Sequence, residues 1–265
     1  MISIIIPTYN EEKAIGNTLK HLVTELSKSA IPYEIIVTDD KSTDKTIEVA
    51  RSVAYSAQKT PGGVSTPYPI TILAHETKHF SIAQNRNAGA KVAHGDYFVF
   101  MDSDCVIENM NESLAHAVYL FEKSDKENKN YREKLVGITG AIRVLPEYET
   151  WGDKIVYIGF NLVHRIKTNT LRLDEASGKF QMMRRDAFFK VNGYREDLIT
   201  REDGDMFWRL SKIGRNYYDP TIVVRHTGRR AHQIGWPKLL SIWMFETFYV
   251  MMFNKSYTKS WKDIR

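Results

Sequence analysis

Cysteine is almost missing from this chain: Cys105 is the only one in 265 residues. A lone thiol cannot close an internal disulfide, and structural zinc sites need several Cys or His ligands at close spacing. That scarcity favours a reducing, cytosolic compartment. A secretory leader is not expected, because Met1 runs straight into Ile2-Ser3-Ile4-Ile5-Ile6 with no basic region and no small-residue cleavage site. No dense Lys/Arg tract with interleaved aromatics occurs, so nucleic acid is not an expected partner. The net charge of +5 is mild and suits an anionic small substrate or an anionic membrane surface. There is no internal repeat and no low-complexity tract.

What is present is ordinary for a folded domain: 43% hydrophobic and 26% charged residues. At ~100–200 residues per domain, the length allows one large α/β domain or two small ones. Apolar strand patterns cover 2–6, 33–38, 70–74 and 97–101. They alternate with helical patterns over 11–29, 43–58 and 82–93, and a Pro/Gly/Ser/Thr-rich loop fills 60–69. This alternation predicts a parallel sheet covered on both faces. The second half is less regular. Helices are expected over 114–121, 151–166 and 204–213, strands over 135–144, 180–183 and 221–224, and a charged connection over 124–134.

In open parallel sheets, ligands bind beyond the carboxyl ends of the strands. Asn10 and Glu11 follow the first strand, Asp39 and Asp40 the second, and Asp102 and Asp104 the fourth. The pair Asp102-Ser103-Asp104 can hold a hard cation, Mg²⁺ or Mn²⁺, with positions left open for phosphate oxygens. A solvated acidic turn is the bland alternative. Tyr9 can stack on a base, while Asn10 and Glu11 can hydrogen-bond a nucleotide or simply open a helix, with Asn10 as its cap. Asp39-Asp40-Lys41-Ser42-Thr43-Asp44 carries the same ambiguity, with Ser42 or Thr43 as cap. Asp203 could be no more than a favourable acid in a helix's first turn, His226 a satisfied strand-end histidine, and Arg86 a solvated helix residue. Arg225, Arg229, Arg230 and His232 form a basic cluster that either binds phosphate or is solvated.

The strings S-I-I-I-P-T-Y-N-E-E, V-T-D-D-K-S-T-D, N-R-N-A-G and F-M-D-S-D occur in that order. Together they resemble the family-2 glycosyltransferases of GT-A fold. The likeness continues through G-K-F-Q-M-M-R-R and V-N-G-Y, where Asn192 replaces a glycine. It extends to E-D-G-D with W-R-L, and to V-V-R-H, covering residues 2–228. It implies an α/β GT-A fold, a Rossmann-like, mostly parallel sheet flanked by helices. Residues 1–105 would form the nucleotide-sugar half, 106–228 the acceptor half, and 229–265 a C-terminal apolar helical extension. It implies inverting transfer from a nucleoside-diphosphate sugar to a hydroxyl or phosphate acceptor, on a sugar or on a polyprenyl-type lipid.

By the same resemblance, Pro7, Tyr9, Glu11, Asp39, Asp40, Arg86, Asp102, Ser103 and Asp104 would hold the donor. Asp102, Asp104 and His226 would hold Mn²⁺ or Mg²⁺. Asp203 would be the catalytic base, and Glu202, Met182 and Arg209 would lie on the acceptor side. The rival readings are a nucleotidyltransferase and a non-catalytic nucleotide-sugar-binding module. The first wants a Gly-rich basic phosphate loop where the chain has Pro7-Thr8-Tyr9-Asn10-Glu11-Glu12. The second would be favoured by loss of Asp104 or Asp203, and both are present.

Residues 236–253 are heavily apolar but contain Lys238 and Glu246. A spanning helix wants ~20 predominantly apolar residues, and a central carboxylate is costly in lipid. Packing on the domain, a dimer contact and a peripheral contact at the cytoplasmic face of a membrane all stay open. Tyr257, Trp261, Lys255, Lys259, Lys262 and Arg265 suit the last of these.

Overall fold

A computed structural model of the chain describes residues 1–58, 70–75, 81–173 and 175–259. The loop expected at 60–69 lies outside them, as do Trp261, Lys262 and Arg265. The elements run β1 (Ile2–Thr8), α1 (Ile15–Leu26), β2 (Tyr33–Asp39), α2 (Thr46–Gln58), β3 (Ile70–Ala74), α3 (Ile82–Val92), β4 (Tyr97–Phe100) and β5 (Cys105–Ile107). They continue with α4 (Met110–Glu127), β6 (Leu135–Val144), α5 (Trp151–Ile166), β7 (Gln181–Arg184), α6 (Arg185–Lys190), α7 (Glu202–Ser211), β8 (Arg215–His226), α8 (Arg229–Ile234) and α9 (Trp236–Phe253).

One eight-stranded sheet has the order β3-β2-β1-β4-β7-β6-β8-β5. Its first four strands are mutually parallel, as the strand–helix alternation predicts. Beyond β4 the sheet is mixed. β7 runs antiparallel to both β4 and β6, and β8 is parallel to β6 but antiparallel to β5. β1 and β2 are buried along their whole length, which explains their unbroken apolar sequence. Alternate residues serve two cores. Ile4 and Ile6 pack with Leu19 and Leu22 of α1 and Phe121 of α4. Ile5 packs on the other face with Ala83 of α3, Phe188 of α6 and Met206 of α7.

Several boundaries differ from expectation for a common reason. α1 begins at Ile15 rather than Glu11, because the preceding residues brace the loop after β2. Asn10 adopts φ 51°, its amide donates to Ser42 Oγ at 2.8 Å, and its side chain accepts from the Thr43 amide at 2.8 Å. The Glu11 amide donates to Thr46 Oγ1 at 2.7 Å. Asn10 therefore ties two loops together rather than capping its own helix. α2 likewise starts at Thr46, whose amide bonds Asp44 at 2.9 Å. α4 continues to Glu127, into the segment expected as a charged connection. β8 is longer than 221–224 because β6 offers it a partner across a bulge between Gly140 and Ala141.

α5 and α9 pack together through Tyr157, Phe160, Trp236 and Trp243. Their other faces are bare. Trp151, Ile155, Ile158 and Leu162 on α5 are 56–79% exposed, and Met244, Phe248, Met251 and Met252 on α9 are 60–75% exposed. Glu246 faces inward. It accepts from Thr200 Oγ1 at 2.9 Å and from the Thr258 amide at 3.0 Å. Among the described residues, no helix is long and apolar enough to cross a membrane.

Candidate active site

A cleft of about 910 Å³ opens at the carboxyl ends of β1 and β4, closed on the far side by α5, α8 and α9. Pro7, Tyr9, Glu11, Asp40, Arg86, Asp102, Ser103, Asp104, Glu202, Asp203 and His226 all border it. Three expected site residues do not. Asp39 is fully buried and saturated by Thr8 and Ser42, so it shapes the turn that presents Asp40. Met182 sits in the middle of β7 between Val99 and Ile138, buried in the core. Arg209 pairs with Asp205 at 2.7 Å and clamps the Gly193 carbonyl at 2.7 Å, fixing the turn after α6.

Arg86 is the hub. It comes from α3, whose start is set by a Ser81/Gln84 capping box, and it is only 1% exposed. Nη1 donates to Glu202 at 3.0 Å; Nη2 donates to Asp102 at 3.2 Å and to the Gly178 carbonyl at 3.3 Å. The Gly178 amide in turn donates to Asp203 Oδ2 at 2.7 Å. Asp102 and Asp203, 101 positions apart in sequence, thus belong to one network. A side chain at residue 178 would displace the Arg86 guanidinium. A Cβ there would lie 2.7 Å from Arg86 Nη2.

The acidic pair is already neutralised by protein. Lys179 Nζ lies 3.0 Å from Asp102 Oδ2 and 3.4 Å from Asp104 Oδ1. Thr227 Oγ1 donates to Asp104 Oδ2 at 2.7 Å, and Arg229 Nε is 3.7 Å from the same oxygen. Arg229 also grips Glu11 through both carboxylate oxygens. Burial pushes the Asp104 carboxyl up, but Lys179, Arg229 and the Thr227 hydroxyl outweigh it and hold the group well below the usual carboxylate range. The balance at Asp102 is the same, with Lys179 and Arg86 supplying the positive charge.

The pair at the start of α7 behaves oppositely. Burial and the neighbouring Asp203 carboxylate push Glu202 up, and burial raises Asp203 in spite of Arg86. A carboxylate with a raised pKa is a better base.

Oxygens of Asp102 and Asp104 and the Cys105 sulfur lie within 4.8 Å of one another. Burial keeps the Cys105 thiol protonated, so it is a poor ligand, while the two carboxylates fit a hard cation. His226 has both ring nitrogens engaged. Nδ1 accepts from the Gly228 amide at 3.1 Å, so Nε2 carries the proton that meets Tyr157 Oη at 2.7 Å. Burial, with Lys179 nearby, lowers its pKa to about 3.

The sequence reading left Lys179 without a role and took Arg229 for a phosphate-binding or solvated residue. Lys179 sits between a glycine and a strand, with no periodicity to mark it. Arg229 meets Glu11 across 218 positions.

Residues 3–191 match the model of the family described as glycosyl transferase family 2. The chain is 36% identical over 225 residues to the amylovoran biosynthesis glycosyltransferase AmsB of Erwinia amylovora, covering 80% of this chain and 64% of that protein. It is 29% identical over 187 residues to a dolichol-phosphate mannosyltransferase of Pyrococcus furiosus, covering 68% and 46%. It thus spans about half to two thirds of the length of these curated relatives. The mannosyltransferase PcManGT from Pyrobaculum calidifontis, solved in complex with GDP-Man and Mn²⁺, superposes with a TM-score of 0.64 at 19% identity. That match covers 85% of this chain and 56% of PcManGT. TarS of S. aureus (residues 1–349) superposes with a TM-score of 0.56 at 19% identity, covering 87% and 61%. With the family model spanning most of the described sheet, the chain belongs to glycosyl transferase family 2 and has its GT-A fold.

Proposed function

We propose that the chain transfers a sugar from a nucleoside-diphosphate sugar to an acceptor hydroxyl or phosphate with inversion, using Asp203 as the base. The observation that carries this is the Asp102–Arg86–Gly178–Asp203 network, which joins a cation-ready acidic pair to a carboxylate of raised pKa in one cleft. Residues 1–105 serve the donor in this reading. Pro7, Tyr9 and Asp40 border the nucleoside end, and Asp102 with Asp104 would hold Mn²⁺ or Mg²⁺, His226 joining them only by giving up a present partner. Such a cation supplies Lewis-acid stabilisation of the leaving diphosphate. Asp203 accepts the proton of the attacking acceptor oxygen, and the Gly178 and Gly204 amides orient its carboxylate. The donor complexes of PcManGT (GDP-Man) and TarS (UDP-GlcNAc) support a nucleotide-sugar reading without choosing the base.

The test is a screen of UDP-, GDP- and dTDP-sugars with Mn²⁺, with and without chelator. Hydrolysis or transfer of one donor, lost in chelator, is expected. No turnover of any donor, or turnover indifferent to chelator, would count against the donor and cation readings respectively.

For the acceptor, residues 106–228 with the 229–265 extension favour a lipid-linked molecule met at a membrane surface. α5 and α9 line the cleft with Phe160, His164, Leu239 and Trp243, and turn their bare apolar faces outward. Lys154 and Arg165 on α5 and Lys255 just after α9 are exposed, a composition suited to an anionic interface. Relatives named as dolichol-linked transferases support the same reading. Flotation with phosphatidylglycerol-containing vesicles should carry the protein upward. A protein that stays at the bottom and sediments as a dimer would assign these faces to a second copy instead.

A further inference from the structure

We infer that Lys179 is the displaceable counter-ion of the acidic pair. Its ammonium occupies the place between Asp102 and Asp104 while the cleft lacks donor. It yields that place to a divalent cation only when a diphosphate is there to receive it. The inference rests on the donor reading above and adds an order of binding and a phosphate-binding residue.

Geometry comes first. Nζ lies 3.0 Å from an oxygen of one carboxylate and 3.4 Å from an oxygen of the other. That is the point on which a hard cation would also have to draw, so the two cannot share it.

Charge balance comes second. Asp102 and Asp104 already have Lys179, Arg86 and Arg229 within ion-pair distance before any metal enters, Arg86 being shared with Glu202 and Arg229 with Glu11. A dication added beside these three cations creates a local crowding of positive charge. The same dication added together with a diphosphate does not. Binding of the two should therefore be strongly coupled.

Mobility comes third. Arg86 is 1% exposed and held by three partners, so it cannot make room. Lys179 has a side chain 26% exposed at the cleft wall. Its ammonium is a point charge on a flexible four-carbon stem, which can swing where a guanidinium fork cannot.

Mn²⁺ binding, read by electron paramagnetic resonance of the free ion, tests this without reference to turnover. In the wild-type protein, UDP or GDP (whichever binds) should tighten Mn²⁺ at least ~10-fold, the scale of common site–site coupling. In Lys179→Met, nucleotide-free Mn²⁺ affinity should rise at least ~10-fold, and the coupling should shrink because the competing cation is gone. Unchanged or weaker nucleotide-free Mn²⁺ binding in that variant would overturn the inference. So would a lack of Mn²⁺ binding in both proteins with nucleotide present. If the methionine variant does not fold by circular dichroism, Lys179→Gln should tighten Mn²⁺ and Lys179→Arg should not, and equal effects would again refute it. A tighter Mn²⁺ site in Lys179→Met, alongside no turnover of any donor by the wild type, would leave this inference standing and remove the donor reading.

Discussion

The two walls of the cleft are held in place by opposite means. The wall built from the ends of β1 and β4 and the start of α7 is a closed network of charges, in which Asp102, Asp104, Glu11 and Glu202 already have cationic partners. The wall built from α5 and α9 has an apolar outer face and a largely apolar inner one, and rests on a few polar pins. Asp153 accepts from Trp236 at 2.8 Å and meets His232 at 2.8 Å, and Glu246 fastens the tail. A ligand on the first wall must displace partners, which makes binding selective for matched charge. The second wall has little to displace, so its specificity must come from shape and from whatever covers its outer face.

If the first wall is a working network, breaking it at the base should have the largest effect. Asp203→Asn should lower kcat by ~10²–10⁴-fold while nucleotide affinity, measured by calorimetry, stays within a few-fold. Residual activity should also lose its acid limb. Because the Asp203 pKa is raised, wild-type kcat/KM should climb with pH through a limb lying above the ordinary carboxylate range.

Removing the hub tests structure more than chemistry. Arg86→Gln leaves Glu202 and Asp102 without their buried cation and should cost ~3–5 kcal/mol in denaturant unfolding.

The apolar wall predicts a smaller, pH-dependent effect. His164 on α5 is buried, and burial lowers its pKa to about 4. A depressed histidine pKa means that the unfolded chain takes up protons first as pH falls. The histidine therefore stabilises fully above ~6.5 and loses that contribution as pH drops toward 4. Between pH 7 and 5 the loss is ~2 kcal/mol. His164→Leu should flatten the stability–pH curve by about that amount relative to wild type, as read by urea titrations at both pH values.

Smallest in stability, but decisive for the comparison, is the outer face. Ile155→Glu with Met251→Glu should change unfolding free energy by less than ~0.5 kcal/mol while abolishing vesicle flotation. An equal loss of stability would mean that those side chains are covered in the folded protein.

The same contrast governs what could be read from the amino-acid order. β1 through β4 were legible because each is an apolar run, and the strand-end rule then gathers Glu11, Asp40, Asp102 and Asp104, which follow β1, β2 and β4, on one rim. β5 and α6 were not, being too short for a period to show. Met182 and Arg209 sit inside recognisable motifs, yet motif membership does not say which way a side chain points. Met182 lies in a strand buried between two neighbours, and Arg209 is consumed by backbone carbonyls. Lys179 and Arg229 show the reverse. Their partners are 75 and 218 positions away, so their roles exist only once the sheet has closed.

Glu246 has a consequence beyond anchoring the tail. Through Thr200 it grips the loop that leads, by way of Arg201 and Glu202, into Asp203. Ser256 reinforces the link by accepting from the Ile199 and Thr200 amides. The helix with the bare outer face and the carboxylate proposed as base are thus joined through a short hydrogen-bonded segment. The position of α9 is therefore tied by hydrogen bonds to the start of α7, where Asp203 sits.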